Sequence, residues 1–335
     1  MGDIIFTAKN KITENSKAAT WVADGDNLLL RALQGFVKQK GDNGEELLIG
    51  KVPEKENKEK ECFCTKKFTP EDIKGFYGKK TLFRAKNCPI PENKKSIEVF
   101  TEEINKTLEQ YEINTCIRKA HFMAQIEAET NFNTTLEYAD GWDYDHSTHE
   151  ESYSLYKLYL KDKKKNIQFK TPKNKRGYDR YIECLDHGHH VKGYGPKYKG
   201  RGLIQITWKD TYEAYFSKLN NTTLIETPEI VASDIKYVCD SAGWYWKYRS
   251  NWGNLNNFAD KDDLISVAVG VNGGLNGFAH RKSNLKKILM LMDIKNSCVN
   301  LKVPNIGTYK FETSDIRNSR WGRKNKIKIQ AYDDK

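Results

Sequence analysis

The 335-residue chain contains no apolar run near the about 20 residues that a membrane-spanning helix needs. Its first six residues, Met-Gly-Asp-Ile-Ile-Phe, have neither the basic stretch nor the apolar core of a secretory signal. We therefore expect a protein made in the cytoplasm without a signal peptide and without a membrane span. If it acts outside the producing cell or in the periplasm of a target cell, injection or lysis must deliver it.

The sequence also lacks a disulfide framework, because its seven cysteines are odd in number and scattered. Cys62 and Cys64 form one close pair, but no second close pair follows, as a zinc site usually requires. Three histidines, His187, His189 and His190, stand too close together for one ordinary tetrahedral set. The composition favours reduced thiols, no metal and no cofactor.

Phosphate-binding and nucleic-acid-binding motifs are absent as well. Residues 193–202 contain four glycines, but no Gly-Lys-Ser/Thr follows them, so this loop does not match a phosphate loop. No recognisable nucleic-acid module occurs. What the chain has is a net charge of +11, which predicts attraction to polyanions such as nucleic acid or anionic peptidoglycan.

Composition divides the chain into three parts. Residues 1–60 contain short strand-like runs and a charged linker, which predict a small β-rich segment for delivery or docking, dispensable for chemistry. Residues 61–300 carry helical patterns, interrupted by a basic, tyrosine-rich stretch at 143–190 that we interpret as a solvated insertion. Residues 301–335 form a basic tail, interpreted as a solvated strand pair or an arm that binds cell wall.

The most informative stretch is the predicted helix at about 115–130. It is apolar on nearly every side between 120 and 128, which is typical of a buried helix. Glu127 and Glu129 nevertheless lie near its end. Burying a carboxylate is costly unless it is paired or protonated, and carboxylates held in this way can serve as general acids. Periodicity alone does not separate the two glutamates.

Three blocks carry a resemblance to a known family. They are Phe-Met-Ala-Gln-Ile-x-x-Glu-Thr-x-Phe at 122–132, Lys-Gly-Arg-Gly-Leu-Ile-Gln-Ile-Thr at 199–207, and Val-Asn-Gly-Gly-Leu-Asn-Gly at 271–277. In this order they resemble glycoside hydrolase family 19, the chitinases and related phage and bacterial lysozymes. The resemblance covers about 110–295 and implies a mainly α-helical, two-lobed, lysozyme-like catalytic domain with a cleft between the lobes.

The resemblance also implies roles for individual residues. Glu129 matches the general acid, and Glu137 is the best match for the base, with Asp140 and Asp143 as alternatives. The family inverts configuration, so the two carboxyls should stand about 6.5–9.5 Å apart. Ala128 departs from the family, which usually has histidine before the acid. The other matched positions are Thr207, expected to hold the water, and the substrate-binding residues Tyr198, Gln205, Asn272 and Arg281, the last a cation near the acid.

These features predict a peptidoglycan glycosidase, a muramidase that cleaves the β-1,4 bond between N-acetylmuramic acid and N-acetylglucosamine. The short spacing from Glu129 to Glu137 and the basic charge favour peptidoglycan over chitin. The strand-like N-terminus favours an antibacterial effector of a secretion system, with an immunity protein and the secretion apparatus as partners, over a phage endolysin. The alternatives are an endochitinase and a non-catalytic basic module that binds cell wall or nucleic acid.

Overall fold

The computed structural model describes residues 62–79 and 81–334; the predicted β-rich segment at 1–60 lies outside them. The described residues form helices joined by turns, and their only strand-like pairings are two isolated bridges, Leu136 with Arg201 and Arg201 with Ile206. The predicted mainly α fold is confirmed. None of the described helices combines the length and the apolar character that crossing a membrane requires.

Fifteen α-helices are found in the described residues, with short 3-10 turns and one π-helical turn, Tyr245–Arg249, between them. In chain order the helices are α1 Pro70–Tyr77, α2 Ile97–Gln110, α3 Cys116–Thr130, α4 His146–Lys161, α5 Pro172–Asp186, α6 Tyr194–Lys197, α7 Lys209–Lys218, α8 Ile230–Ser233, α9 Ile235–Trp244, α10 Asn256–Ala259, α11 Leu264–Asn272, α12 Phe278–Leu291, α13 Ile294–Ser297, α14 Arg320–Lys324 and α15 Lys326–Gln330.

The first helices begin where the sequence places polar caps. Thr69 and Asp72 form a reciprocal capping box: Asp72 N donates to Thr69 Oγ1 at 3.2 Å, and Thr69 N donates to Asp72 Oδ2 at 2.8 Å. Ser96 caps α2 and Thr115 caps α3 in the same way, through the side-chain oxygen. Each such cap satisfies an otherwise unpaired backbone N–H and stabilises the helix by about 1 kcal/mol.

Helix α3 lies at the centre of the described core. It contacts α10, α11 and α12, and most of its apolar side chains, among them Phe122 and Met123, have no exposed surface. Phe122 packs edge-to-face against Trp246, with ring centroids 5.3 Å apart. The predicted buried helix is therefore present, and its packing explains why polar residues on it need internal partners.

Residues 301–334 do not form the strand pair suggested by their composition. They contain the short helices α14 and α15, and they bury apolar side chains in the same core as α3: Ile306, Tyr309, Phe311, Ile316 and Ile329. A buried polar cluster joins the two parts, because Asp262 accepts from Tyr309 Oη at 3.1 Å and lies 2.8 Å from His121 Nε2 on α3. The net charge of residues 301–335 does not predict that the described part packs against the core. This packing depends on a few apolar residues that are spaced irregularly among the basic ones.

The predicted insertion at 143–190 is a helical hairpin of α4 packed against α5. Many of its residues are exposed, but the two helices contact each other extensively, partly through tyrosines such as Tyr153, which stacks on Tyr181 with ring centroids 4.1 Å apart. The helices approach closely at Gly177, where an added Cβ would lie 2.3 Å from Ser152 Cβ. The apolar residues at 203–208 predict a short strand, which is wrong, because residues 202–205 form a turn closed by the bridge between Arg201 and Ile206.

Gly243 allows α9 to approach α2 closely, and a substitution at this position can test the contact. A Cβ at this position would lie 2.2 Å from Tyr111 Cδ2 and 2.6 Å from Thr107 Cγ2. Since overpacking of a core typically costs about 1–3 kcal/mol, we expect Gly243→Ala to lower the free energy of unfolding by that amount in urea denaturation. Gly75→Ala is the matched control, because Gly75 lies within α1 with open space around its Cα. An equal loss in both variants would contradict the close contact.

Candidate active site

Glu129 lies in the last turn of α3 and is paired with a buried cation. Arg281 Nη2, on α12, donates to Glu129 Oε1, and the two side chains are 3% and 14% exposed. Arg281 is itself fixed, because its Nη1 donates to Gln125 Oε1 at 2.6 Å, one turn before Glu129. The guanidinium thus orients the glutamate and offsets the cost of removing its charge from water.

Glu127 has different partners, although it lies only two residues away. Its carboxylate accepts from Asn284 Nδ2 and lies 3.3 Å from His280 Nε2. Burial raises the pKa of the nearby Tyr77 phenol well above its usual value, and the negative charge of Glu127 raises it further. The structure therefore separates the two glutamates: Glu129 contacts the buried arginine, and Glu127 lies among a tyrosine, an amide and a histidine.

The chain turns sharply after α3 and leads to Glu137. Asn131 and Phe132 have φ angles of 48° and 45°, which are uncommon for residues other than glycine and end the helix. Phe132 is held in this conformation because its ring is buried against Tyr77 and Phe100, at centroid distances of 4.4 and 5.2 Å. The turn places Glu137 on a segment separate from α3.

Glu137 is held by three hydrogen bonds. Its backbone N–H donates to Gly200 O at 3.0 Å, and its carboxylate accepts from Gly200 N at 2.9 Å and from Tyr144 Oη at 2.8 Å. Burial raises the pKa of Tyr144, and the hydrogen bond to Glu137 raises it further, so the phenol stays protonated and remains a donor. Both Glu137 carboxylate oxygens therefore have fixed positions.

The two other carboxylates considered as the base have less confined positions. Asp143 is 54% exposed and pairs with Arg180, whose Nη2 lies 2.8 Å from Oδ2. Asp140 is exposed and accepts from Trp142 N at 3.0 Å. Both of these aspartates are exposed, whereas Glu137 is half-buried and both of its carboxylate oxygens accept a hydrogen bond.

The glycine loop brings Gln205 beside Glu137. A Cβ on Gly200 would lie 3.0 Å from both Gln205 Oε1 and Glu137 Oε2, so a larger residue would crowd these two oxygens. Gln205 Nε2 donates to Gly202 O at 2.7 Å, which fixes the amide. Thr207 Oγ1 donates to Gln205 O at 2.9 Å, and its oxygen lone pairs remain able to accept from a water.

The two remaining predicted sugar contacts differ from each other. Tyr198 is 1% exposed, its ring packs against Tyr194 and Tyr212, and its hydroxyl donates to Ile225 O at 3.3 Å. This placement argues against a direct sugar contact and for a supporting position beneath the glycine loop. Asn272 ends α11, and its buried Oδ1 has no partner among the described residues, which leaves an acceptor for a water or a ligand hydroxyl.

The three histidines at 187–190 do not form a cluster of metal ligands. Both ring nitrogens of His189 are engaged, since Nδ1 donates to Tyr144 O at 2.6 Å and Nε2 accepts from Lys209 N at 3.1 Å. Burial lowers the pKa of His189, which keeps the ring neutral and consistent with these roles. His187 stacks on Trp208 with centroids 4.6 Å apart. His189 thus positions Tyr144, a residue that the sequence pattern did not single out.

Comparison with known proteins adds one informative relative. No protein-family model matches the chain. A "Glycosyl hydrolase family 19 domain-containing protein" of Haemophilus influenzae is 39% identical over 113 residues, which cover 34% of this chain and 51% of the relative. The resemblance to glycoside hydrolase family 19 is confirmed. The chain spans about half the length of this curated relative.

Solved family 19 structures are more distant. Chitinase C from Streptomyces griseus HUT6037 is 14% identical, with a TM-score of 0.44, over 69% of this chain and 77% of that one. A bacterial family 19 chitinase is 16% identical, with a TM-score of 0.44, over 67% of this chain and 94% of that one.

One departure from the family 19 pattern now has a structural context. Ala128 stands where the family usually has histidine, and it brings no polar group to the acid position. The polar environment of Glu129 instead comes from Arg281 and from Gln125. The sequence contains both residues but does not indicate that they pair. Orientation of Glu129 therefore depends on α12 rather than on the residue beside it.

The Arg281–Glu129 pair should couple α12 to α3 energetically. Removing one member of a buried pair leaves the other charge uncompensated, so we expect Arg281→Met to lower the free energy of unfolding by about 3 kcal/mol. The double variant Arg281→Met/Glu129→Gln should recover part of this loss in thermal or urea denaturation. The exposed Lys106–Glu102 pair is the control, and Lys106→Met should change stability little. Additive losses in the double variant would contradict the coupling.

Proposed function

We propose that this chain is a glycoside hydrolase that cleaves β-1,4 bonds between N-acetylhexosamines with inversion of configuration. The observation that carries the proposal is a carboxylate in the last turn of a buried helix and a second, differently held carboxylate on the segment that follows the helix. Arg281 holds Glu129, while Tyr144 and Gly200 hold Glu137. The Haemophilus influenzae relative supports the same reaction class.

In the proposed reaction Glu129 is the general acid. Arg281 donates to Oε1, so Oε2 is the oxygen that would carry the proton. That proton moves to the glycosidic oxygen as its bond to the anomeric carbon breaks, and the departing sugar leaves as an alcohol. Positioned proton transfer of this kind contributes about 10²–10⁴-fold to a rate.

Glu137 is the proposed general base. It accepts a proton from a water whose oxygen forms the new bond to the anomeric carbon on the opposite face. Tyr144 and Gly200 N fix the carboxylate, and the Thr207 oxygen can accept from the same water. Gln205 lies beside Glu137 across Gly200, where its amide oxygen could contact a sugar hydroxyl.

Peptidoglycan is the proposed substrate, because its glycan carries carboxylates whereas chitin is neutral. The net charge of +11 favours an anionic polymer. The α4–α5 hairpin and its connection add exposed lysines, including Lys163, Lys164 and Lys165. An endochitinase, which would act on neutral β-1,4 N-acetylglucosamine polymers, is the rival function.

The proposed biological role is that of an antibacterial effector that acts on the wall in a target cell's periplasm. Such an effector would need a secretion apparatus for delivery and an immunity protein that protects the producer. If this is correct, the chain fused to a periplasmic signal should lyse the expressing cells, and cytoplasmic expression should not. The Glu129→Gln variant is the control, and equal toxicity of that variant would point to a binding function without catalysis.

The assignment of the acid can be tested with two isosteric changes. We expect Glu129→Gln to reduce turnover of purified sacculi by about 10²–10⁴-fold, because the amide cannot donate a proton as the carboxyl does. Glu127→Gln, on the same helix but away from Arg281, should retain most of the activity. Circular dichroism should show that both variants fold. An inactive Glu127→Gln with an active Glu129→Gln would reverse the assignment.

The stereochemistry tests the role of Glu137. An inverting site needs room for a water, so its carboxyls stand about 6.5–9.5 Å apart, compared with about 5–5.5 Å in a retaining site. Proton NMR within minutes of mixing should show the α-anomer first, with a wall fragment or a chitooligosaccharide as substrate. An initial β-product would exclude Glu137 as the base.

The substrate can be fixed by comparing two polymers. Mass spectrometry of digested sacculi should reveal fragments with reducing-end N-acetylmuramic acid, as expected for cleavage between N-acetylmuramic acid and N-acetylglucosamine. Chitin oligomers at the same concentration should be cleaved more slowly. If the chitin oligomers were cleaved and the sacculi remained undigested, the result would favour the endochitinase.

A further inference from the structure

Four cysteines from distant parts of the chain meet at the start of α3. Cys62 and Cys64 begin the described chain, Cys116 is the first residue of α3, and Cys298 follows α13. Their four sulfur atoms all lie within 4.8 Å of one another. Cys116 Sγ lies 3.4 Å from Cys62 Sγ and 3.5 Å from Cys64 Sγ, and Cys64 Sγ lies 3.7 Å from Cys298 Sγ.

These separations match a single metal ion better than disulfides. Zinc binds thiolates at about 2.3 Å, and four sulfurs at the corners of that tetrahedron stand about 3.8 Å apart. A disulfide would bring two sulfurs to about 2.05 Å, but all four cysteines are free. Four thiolates in tetrahedral order are a donor set that selects zinc or iron among the biological metals.

The surroundings of the cluster suit a negatively charged metal centre. Four thiolates and one divalent cation leave a charge of about −2, which needs compensation. The N-terminus of α3 supplies partial positive charge, and Cys116 N donates to Cys64 Sγ at 3.4 Å. Lys119, only 7% exposed, lies one turn further along α3. Its Nζ donates to Phe63 O at 2.6 Å and to Lys66 O at 2.9 Å, which fixes the loop that carries Cys64.

We propose that Cys62, Cys64, Cys116 and Cys298 bind one Zn²⁺ ion as a structural site. All four positions are protein ligands, so no position remains for a water or substrate, as in closed structural zinc sites. The ion would join the start of the described chain, the first turn of α3 and the segment after α13. Glu129 lies at the opposite end of α3, so the metal would stabilise the helix that carries the proposed acid without taking part in its chemistry.

Metal content of the full-length protein tests the site directly. Protein purified under reducing conditions without chelator should contain one zinc per chain by elemental analysis. Cys116→Ser and Cys298→Ser should each lower this content at least several-fold. Cys184→Ser is the matched control, because Cys184 is as fully buried as Cys116 but lies on α5, outside the cluster. It should keep the full zinc content.

A second measurement does not depend on the folding of ligand variants. The wild-type chain refolded with Co²⁺ should show the thiolate-to-cobalt charge-transfer absorption of a tetrahedral four-sulfur site, and excess Zn²⁺ should abolish it. The proposal would be overturned if the wild-type protein contained no bound metal and all seven of its thiols could be titrated after unfolding. Stoichiometric iron, or a mass that shows two disulfides among these cysteines, would also overturn it.

Discussion

The candidate site depends on one buried ion pair. A carboxylate at the end of a helix with no exposed face needs a partner, and Arg281 reaches it from α12 with only 3% of its side chain exposed. Because Arg281 also binds Gln125, the guanidinium joins two consecutive turns of α3 to a second helix. The geometry of Glu129 is therefore a property of the packing between α3 and α12, and any change that moves these helices apart would move the carboxylate.

The second carboxylate, Glu137, is held by hydrogen-bond donors and not by an ion pair. Glu137 follows a turn of two left-handed residues and is fixed by a backbone N–H and a phenol rather than by an opposite charge. Hydrogen-bond donors orient a carboxylate without neutralising it, whereas an ion pair also compensates its charge where the group is removed from water. The proposed acid and base roles rest on the family resemblance, and the structure adds how each carboxylate is oriented.

The proposed metal site extends this organisation to the other end of α3. Cys116 begins the helix and Glu129 lies in its last turn, so the same element would be anchored by a four-sulfur site at one end and by Arg281 at the other. Residues 301–334 add a third attachment through Tyr309 and Asp262, which reaches His121 in the middle of α3. The helix that carries the proposed acid is thus held along its whole length by groups from distant parts of the sequence.

Local patterns were sufficient to predict a mainly helical fold and the buried helix α3. Caps at Thr69, Ser96 and Thr115 mark helix starts because they act within one turn, and the apolar run at 120–128 indicates a buried helix whatever surrounds it. The family resemblance favours Glu129 over Glu127 through the order of residues in a single short block. Such features are readable because each depends on neighbours only a few residues away.

Tertiary structure decided everything that depends on residues far apart in the chain. Cys298 stands 234 residues from Cys64, so no spacing rule could join the odd and scattered cysteines into one cluster. Tyr198 matched a sugar-binding position, yet the packing of Tyr194 and Tyr212 buries it. The charge of residues 301–335 suggested a solvated arm, but a minority of apolar side chains docks the described part of it, up to residue 334, in the core. Burial and pairing arise from the whole fold, whereas the sequence by itself determined which residues were chemically able to take part.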